Sequence, residues 1–152
     1  MTPTPPPRQP CHAGTHPPLS RRIHLRGHPV PGRRARAAVH QMTQCLGVRA
    51  SLASEGRDNT DTAALVATEL VTNAWRHAGG ALEMRLIWDG RTLTVEVDDT
   101  SSMSPAVLAP NRRGPHGGYG LALVNSLVDA WGTYRRPTGK TVWARCVLIT
   151  RA

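Results

Sequence analysis

Hydrophobic and polar positions alternate in two distinct rhythms along this chain. From Asp61 to Ala78 there is no Gly or Pro, and Ala63, Val66, Leu70 and Ala74 recur at the spacing of one helix face. Thr60 or Asp61 can cap the start of this helix, and Gly79-Gly80 ends it. A second helix is expected from Arg33 to about Leu46, with Ala35, Ala38, Val39, Met42 and Leu46 on one face and Gly47 as its stop. Val48 to Asn59 is a polar connection. Elsewhere the period is two. Arg21 to Gly27 reads as a short edge strand on Ile23 and Leu25, followed by a turn from His28 to Gly32. Leu82, Met84, Leu86 and Trp88 alternate with Glu83, Arg85 and Ile87, and Leu93, Val95 and Val97 alternate with Thr94, Glu96 and Asp98. Asp89-Gly90 between them is a favoured two-residue hairpin turn. Beyond a Ser-, Pro- and Arg-rich loop, Thr100 to about His116, a helix is expected from the glycine-rich Gly117–Gly120 turn to about Trp131, stopped by Gly132, with Leu121, Val124 and Val128 facing the core. A short strand and turn, Gly132 to Pro137, precede a last strand, Lys140 to Thr150, with Val142, Ala144, Cys146 and Leu148 on one face. The order β-α-α-β-β-loop-α-β-β implies an α+β two-layer sandwich, its sheet antiparallel or mixed and covered on one face by helices.

Composition narrows the function classes. The chain has 152 residues, enough for one domain with a sizeable core. Seven of its 13 prolines fall in the first 20 residues, so residues 1–20 read as a disordered leader and 21–150 as the domain. No apolar run reaches membrane-spanning length, and the leader lacks the apolar middle of a secretory signal, so a cytoplasmic protein is expected. Cys11, Cys45 and Cys146 are odd in number, far apart and without metal-ligand spacing, which suits reduced thiols. The net charge of +9 and pI near 11.1 predict acidic partners. Basic runs interleaved with aromatics are missing, and there is no Phe, which argues against dedicated nucleic-acid binding.

Two places carry candidate chemistry. Glu69 and Asn73 lie four residues apart and share a face of the central helix. Either they are a solvated face, or the carboxylate serves as a base and the amide oxygen as a hard ligand for Mg²⁺. Gly117, Gly118 and Gly120 form either a flexible hinge or a turn whose backbone N–H groups face an anion, with Arg112, Arg113 and His116 in the preceding loop. Asp99, at a strand end, is a turn residue or an acceptor for a base amino group, and Thr141 at a strand start says little alone.

In order, ELVTNAWRHA, VEVDDTSS, GGYGLALV and GKTVWA resemble the motifs of the GHKL (Bergerat-fold) ATPase superfamily, which includes gyrase, histidine kinases and mismatch-repair ATPases. The likeness extends over about residues 21 to 149 and is greatest to the small actinobacterial anti-sigma-factor serine/threonine kinases. It implies a mixed, mostly antiparallel sheet and a site for ATP and Mg²⁺. By resemblance Glu69 is the general base, Asn73 the magnesium ligand, and His77 lies where the helix approaches the nucleotide. Asp99 would accept from the adenine amino group, with Thr141 supporting it through water. Gly118, Gly120 and Leu121 would hold phosphates beside Tyr119, and the loop from Thr100 to Gly117, with Arg113, would be the lid. Ser101 and Met103 stand where the family's second motif, Asp-x-Gly-x-Gly, has glycines, a loss common in the actinobacterial branch. The implied function is transfer of the ATP γ-phosphate to a serine of an anti-anti-sigma (STAS-type) protein, with a sigma factor as a further partner and a homodimer as the assembly common among such kinases. The worn second motif favours the alternative, a sequestering module without catalysis.

Overall fold

The computed structural model describes residues 18–47, 59–107, 110–112 and 120–148. Most of the leader, the connection at 48–58, and the lid residues at 108–109 and 113–119 lie outside them.

Among the described residues nine elements follow in the order β1 (Leu19–His24), α1 (Pro31–Cys45), α2 (Asn59–Ala78), β2 (Ala81–Trp88), β3 (Thr92–Asp99), the 3-10 turn η1 (Pro110–Arg112), α3 (Gly120–Leu127), β4 (Ala130–Arg136) and β5 (Gly139–Val147). The five strands form one sheet in the order β1-β2-β3-β5-β4. Every neighbouring pair is antiparallel, so of the antiparallel or mixed sheet expected the described strands form the antiparallel one. Two of the pairs, β2–β3 and β4–β5, are hairpins, which can only be antiparallel.

The helices form the second layer. α2 lies across β2, β3 and β5 with α1 on one flank and α3 on the other. That central position explains why α2 buries more than the predicted stripe: Ala64, Ala67 and Val71 are covered as fully as Ala63, Val66, Leu70 and Ala74. Beneath it Met84, Leu86, Leu93, Val95, Val97 and Ala144 form the inner face of the sheet. Each fully buried Val or Leu contributes about 1.5–3 kcal/mol, so the interlayer contact dominates stability.

Several boundaries differ from the expectation for local physical reasons. α1 begins at Pro31 rather than Arg33, because a proline in the first turn gives up only an N–H that has no partner in the helix. Thr60 and Asp61 lie inside α2 rather than capping it, and Asp61 pairs across to Arg36 at 3.6 Å and His40 at 3.5 Å. The helix ends as expected: Gly79 (φ 70°) and Gly80 (φ 132°) take positive φ, and Gly80 N donates to the Ala74 carbonyl. Three residues, Asp89 to Arg91, separate β2 from β3 instead of two, with the Asp89 carboxylate accepting from Arg91 N, Thr92 N and Thr92 Oγ1.

The pairing jumps from Ala81↔Asp99 to Glu83↔Asp98, leaving Leu82 as a bulged residue. Ala81 joins the core, while Leu82 is only half-buried. α3 stops at Leu127, and Trp131 and Gly132 belong to β4, not to the helix and its stop. Asp129 turns the chain, donating its N–H to the Arg145 carbonyl and accepting from Val147 N. Gly132 makes room for the Trp143 ring, which a Cβ there would approach to 3.1 Å.

Candidate functional site

The face of α2 left open by its neighbours carries Glu69 and Asn73, both half-buried. They line a cavity of about 340 Å³ whose wall also includes His77, Asp99, Leu121 and Lys140. That volume lies within the range of small-molecule sites, about 300–1,000 Å³. Of the residues read from the sequence, Glu69, Asn73, His77, Asp99, Gly120 and Leu121 meet at this one cavity. Arg113, Gly118 and Tyr119 lie outside the described residues. Ser101 and Thr141 are not on its wall.

Each position has a local cause. Glu69 and Asn73 share a wall because they are one helical turn apart on a straight run of helix formers. Asp99 belongs to the inward set of β3, with Leu93, Val95 and Val97, so its carboxylate enters the layer interface where the helices leave a gap. Gly120 opens α3 against Glu69. A Cβ at residue 120 would stand 2.6 Å from Glu69 Oε2, so only glycine lets the helix start meet the carboxylate in this arrangement. Gly139, at φ 146°, brings β5 onto the end of β3, where a Cβ would overlap the Asp99 carbonyl oxygen.

Lys140 is the functional candidate that the sequence reading passed over. It pairs in register with Asp99, is 5% exposed, and its Nζ lies 2.9 Å from both Oδ1 and Oδ2 of that carboxylate. Oδ1 also accepts the Ser101 backbone N–H at 2.8 Å, while the Ser101 hydroxyl accepts from Met103 N. Ser101 thus braces Asp99 and stands behind the wall, and Met103 reaches the cavity. The signal for Lys140 was the strand period. Val142, Ala144 and Cys146 share the inner face, so Lys140 must share it and Thr141 cannot.

Thr141 accordingly lies on the outer face, paired in register with Asp98 rather than Asp99. Its hydroxyl donates to Asp98 Oδ1 at 2.6 Å. Asp98 also pairs with Arg136 and, at 3.5 Å, with Arg85, which contacts Glu96 at 2.7 Å. Burial alone would push the Arg85 guanidinium down, but the charges of Glu96 and Asp98 outweigh it and hold it above its ordinary value. This network stiffens the back of the strand pair that carries Asp99 and Lys140.

The donor set fits a magnesium nucleotide. Asn73 and Glu69 offer hard oxygens, and among the described residues no group of three or more His, Cys, Asp or Glu forms a protein-only metal cage. A site of that kind suits Mg²⁺, which takes few protein ligands and shares the rest with phosphates and water. Among the described residues no cysteine lines the cavity. Cys45 and Cys146 are free, and the Cys146 thiol is pushed up to about 12, by burial first and then by Asp129. Among the described residues no helix is long and apolar enough to cross a membrane.

No curated protein matches the chain. A family model does, that of the histidine kinase-like ATPase domain, over residues 30–146. The matched span takes in α1 through most of β5, and with it every wall residue named above, so the chain belongs to the histidine kinase-like ATPase domain family.

Proposed function

We propose that the cavity binds ATP with Mg²⁺ and that the protein is a regulatory serine/threonine kinase of the anti-sigma type. The observation that carries this reading is the convergence of Glu69, Asn73, Asp99 and Gly120 on one cavity. Asp99 offers an acceptor to the adenine amino group, and Asn73 supplies its amide oxygen to the metal. Bound Mg²⁺ would offset phosphate charge. Glu69 takes the proton of an incoming serine hydroxyl as its oxygen attacks the γ-phosphorus. The bond from that phosphorus to the β,γ-bridging oxygen breaks, and ADP leaves. The net charge of +9 favours an acidic substrate such as an anti-anti-sigma protein, with a sigma factor as the second partner. A homodimer is the proposed assembly.

Titration with ATP, with and without Mg²⁺, tests the nucleotide site. Incubation with labelled ATP and an anti-anti-sigma protein tests transfer. Label on a partner serine, lost in Glu69→Ala with the fold intact, is the expected result.

One observation favours a second reading, sequestration without catalysis. Ser101 and Met103 replace the flexible glycines of the second motif. A stable complex with the partner, and no labelled serine, would establish that reading instead.

A further inference from the structure

Lys140 is an odd residue to find on the wall of a base pocket. Its ammonium is nearly inaccessible, and it faces inward among apolar neighbours on β5. Pairing with Asp99 accounts for its burial, since a buried ammonium needs an opposite charge. It does not use up its hydrogen-bonding capacity. An ammonium has three N–H donors, and two contacts go to Asp99. Among the described residues Asp99 Oδ1 takes both Lys140 and Ser101 N, whereas Oδ2 takes Lys140 alone. Among the described residues an acceptor site on Oδ2 and a donor on Nζ are therefore left over, and these two atoms stand 2.9 Å apart at the cavity wall.

We propose that this pair reads the base as a unit, with Asp99 accepting from the adenine amino group and Lys140 donating to the ring nitrogen beside it. Adenine presents an amino donor next to a ring-nitrogen acceptor on two edges, with N1 on one and N7 on the other. Either edge complements an acceptor and a donor set side by side. Lys140 is then a base-contacting residue, its charged N–H meeting a ring nitrogen directly. This inference rests on the ATP reading above.

Calorimetric titration of the full chain with Mg·ATP, 1-deaza-ATP and 7-deaza-ATP tests it. Each analogue replaces one ring nitrogen by C–H and keeps the amino group. A hydrogen bond to a charged donor predicts that one of the two binds roughly ten- to a hundred-fold more weakly than ATP. In Lys140→Met the same analogue should bind as well as ATP does to that variant. The comparison within the wild type needs no mutant, so it stands even if Lys140→Met unfolds. Equal binding of ATP and both analogues to the wild type overturns the role of Lys140 and leaves the nucleotide site in place. No binding of any of the three overturns the ATP reading itself, and this inference with it.

Discussion

Single atoms decide what Glu69 can do. Its carboxylate abuts the start of α3, and a methyl group at residue 120 would have to displace it. The obstruction is with the end of a flexible side chain, so Gly120→Ala should leave the fold intact and move only the base. A misplacement of about 1 Å at a reacting group costs roughly a hundred-fold in rate. On the kinase reading proposed above, phosphoryl transfer to serine by Gly120→Ala should fall by about that factor, while its thermal midpoint stays near that of the wild type. Gly139 is different in kind, because both its φ of 146° and the backbone of Asp99 exclude a side chain. Gly139→Ala should cost about 2 kcal/mol or more and lower the midpoint by roughly 5 °C or more. Differential scanning calorimetry of the two variants separates a local steric effect from backbone strain.

At the level of elements, the strand ends carry both the site and the errors in reading it. Glu69 and Asn73 were legible because a helix imposes its period without help from the rest of the fold. Asp99 was legible because β3 alternates cleanly up to its last residue. Lys140 was hidden, although the alternation of Val142, Ala144 and Cys146 already assigned its face. A buried lysine is improbable from sequence until Asp99 is known to lie opposite it. The bulge at Leu82 and the packing of Trp143 on Gly132 depend on neighbours far along the chain, and no local pattern encodes them. The β2–β3 turn gives an element-scale prediction. Burial alone would raise the Asp89 carboxyl, but the hydrogen bonds from Thr92 and Arg91 prevail and hold it below its ordinary value. A depressed folded-state value means that its stabilisation is complete above the unfolded carboxylate range, near 4, and is lost as pH falls through the lower folded value. Asp89→Asn should therefore lower the midpoint at pH 7, and the difference from wild type should vanish under strongly acid conditions. A pH series of thermal melts reads this directly.

For the whole molecule, the decisive property is that the helix and sheet layers part at the cavity between α2 and the end of β3. The helix layer is anchored by α2, and the sheet is held from behind by Arg85, Glu96, Asp98 and Arg136. A ligand that bridges the open face of α2 to the end of β3 therefore ties the layers together, and its binding energy adds to folding stability. At a concentration about a hundred times its dissociation constant, a ligand contributes about 2.7 kcal/mol. For a chain of this size that raises the midpoint by roughly 5–10 °C. Among the described residues too few oxygens converge to hold Mg²⁺ alone, so on the proposed reading the metal should act only through the nucleotide. Mg²⁺ by itself should leave the midpoint unchanged, ATP with excess chelator should raise it slightly, and Mg·ATP should give the full shift. Asn73→Ala should remove most of the difference between the last two conditions, because the metal then lacks its amide ligand. A full shift with ATP in the presence of chelator would remove Mg²⁺ from the site, and a shift with Mg²⁺ alone would mean that the chain binds the ion without phosphate.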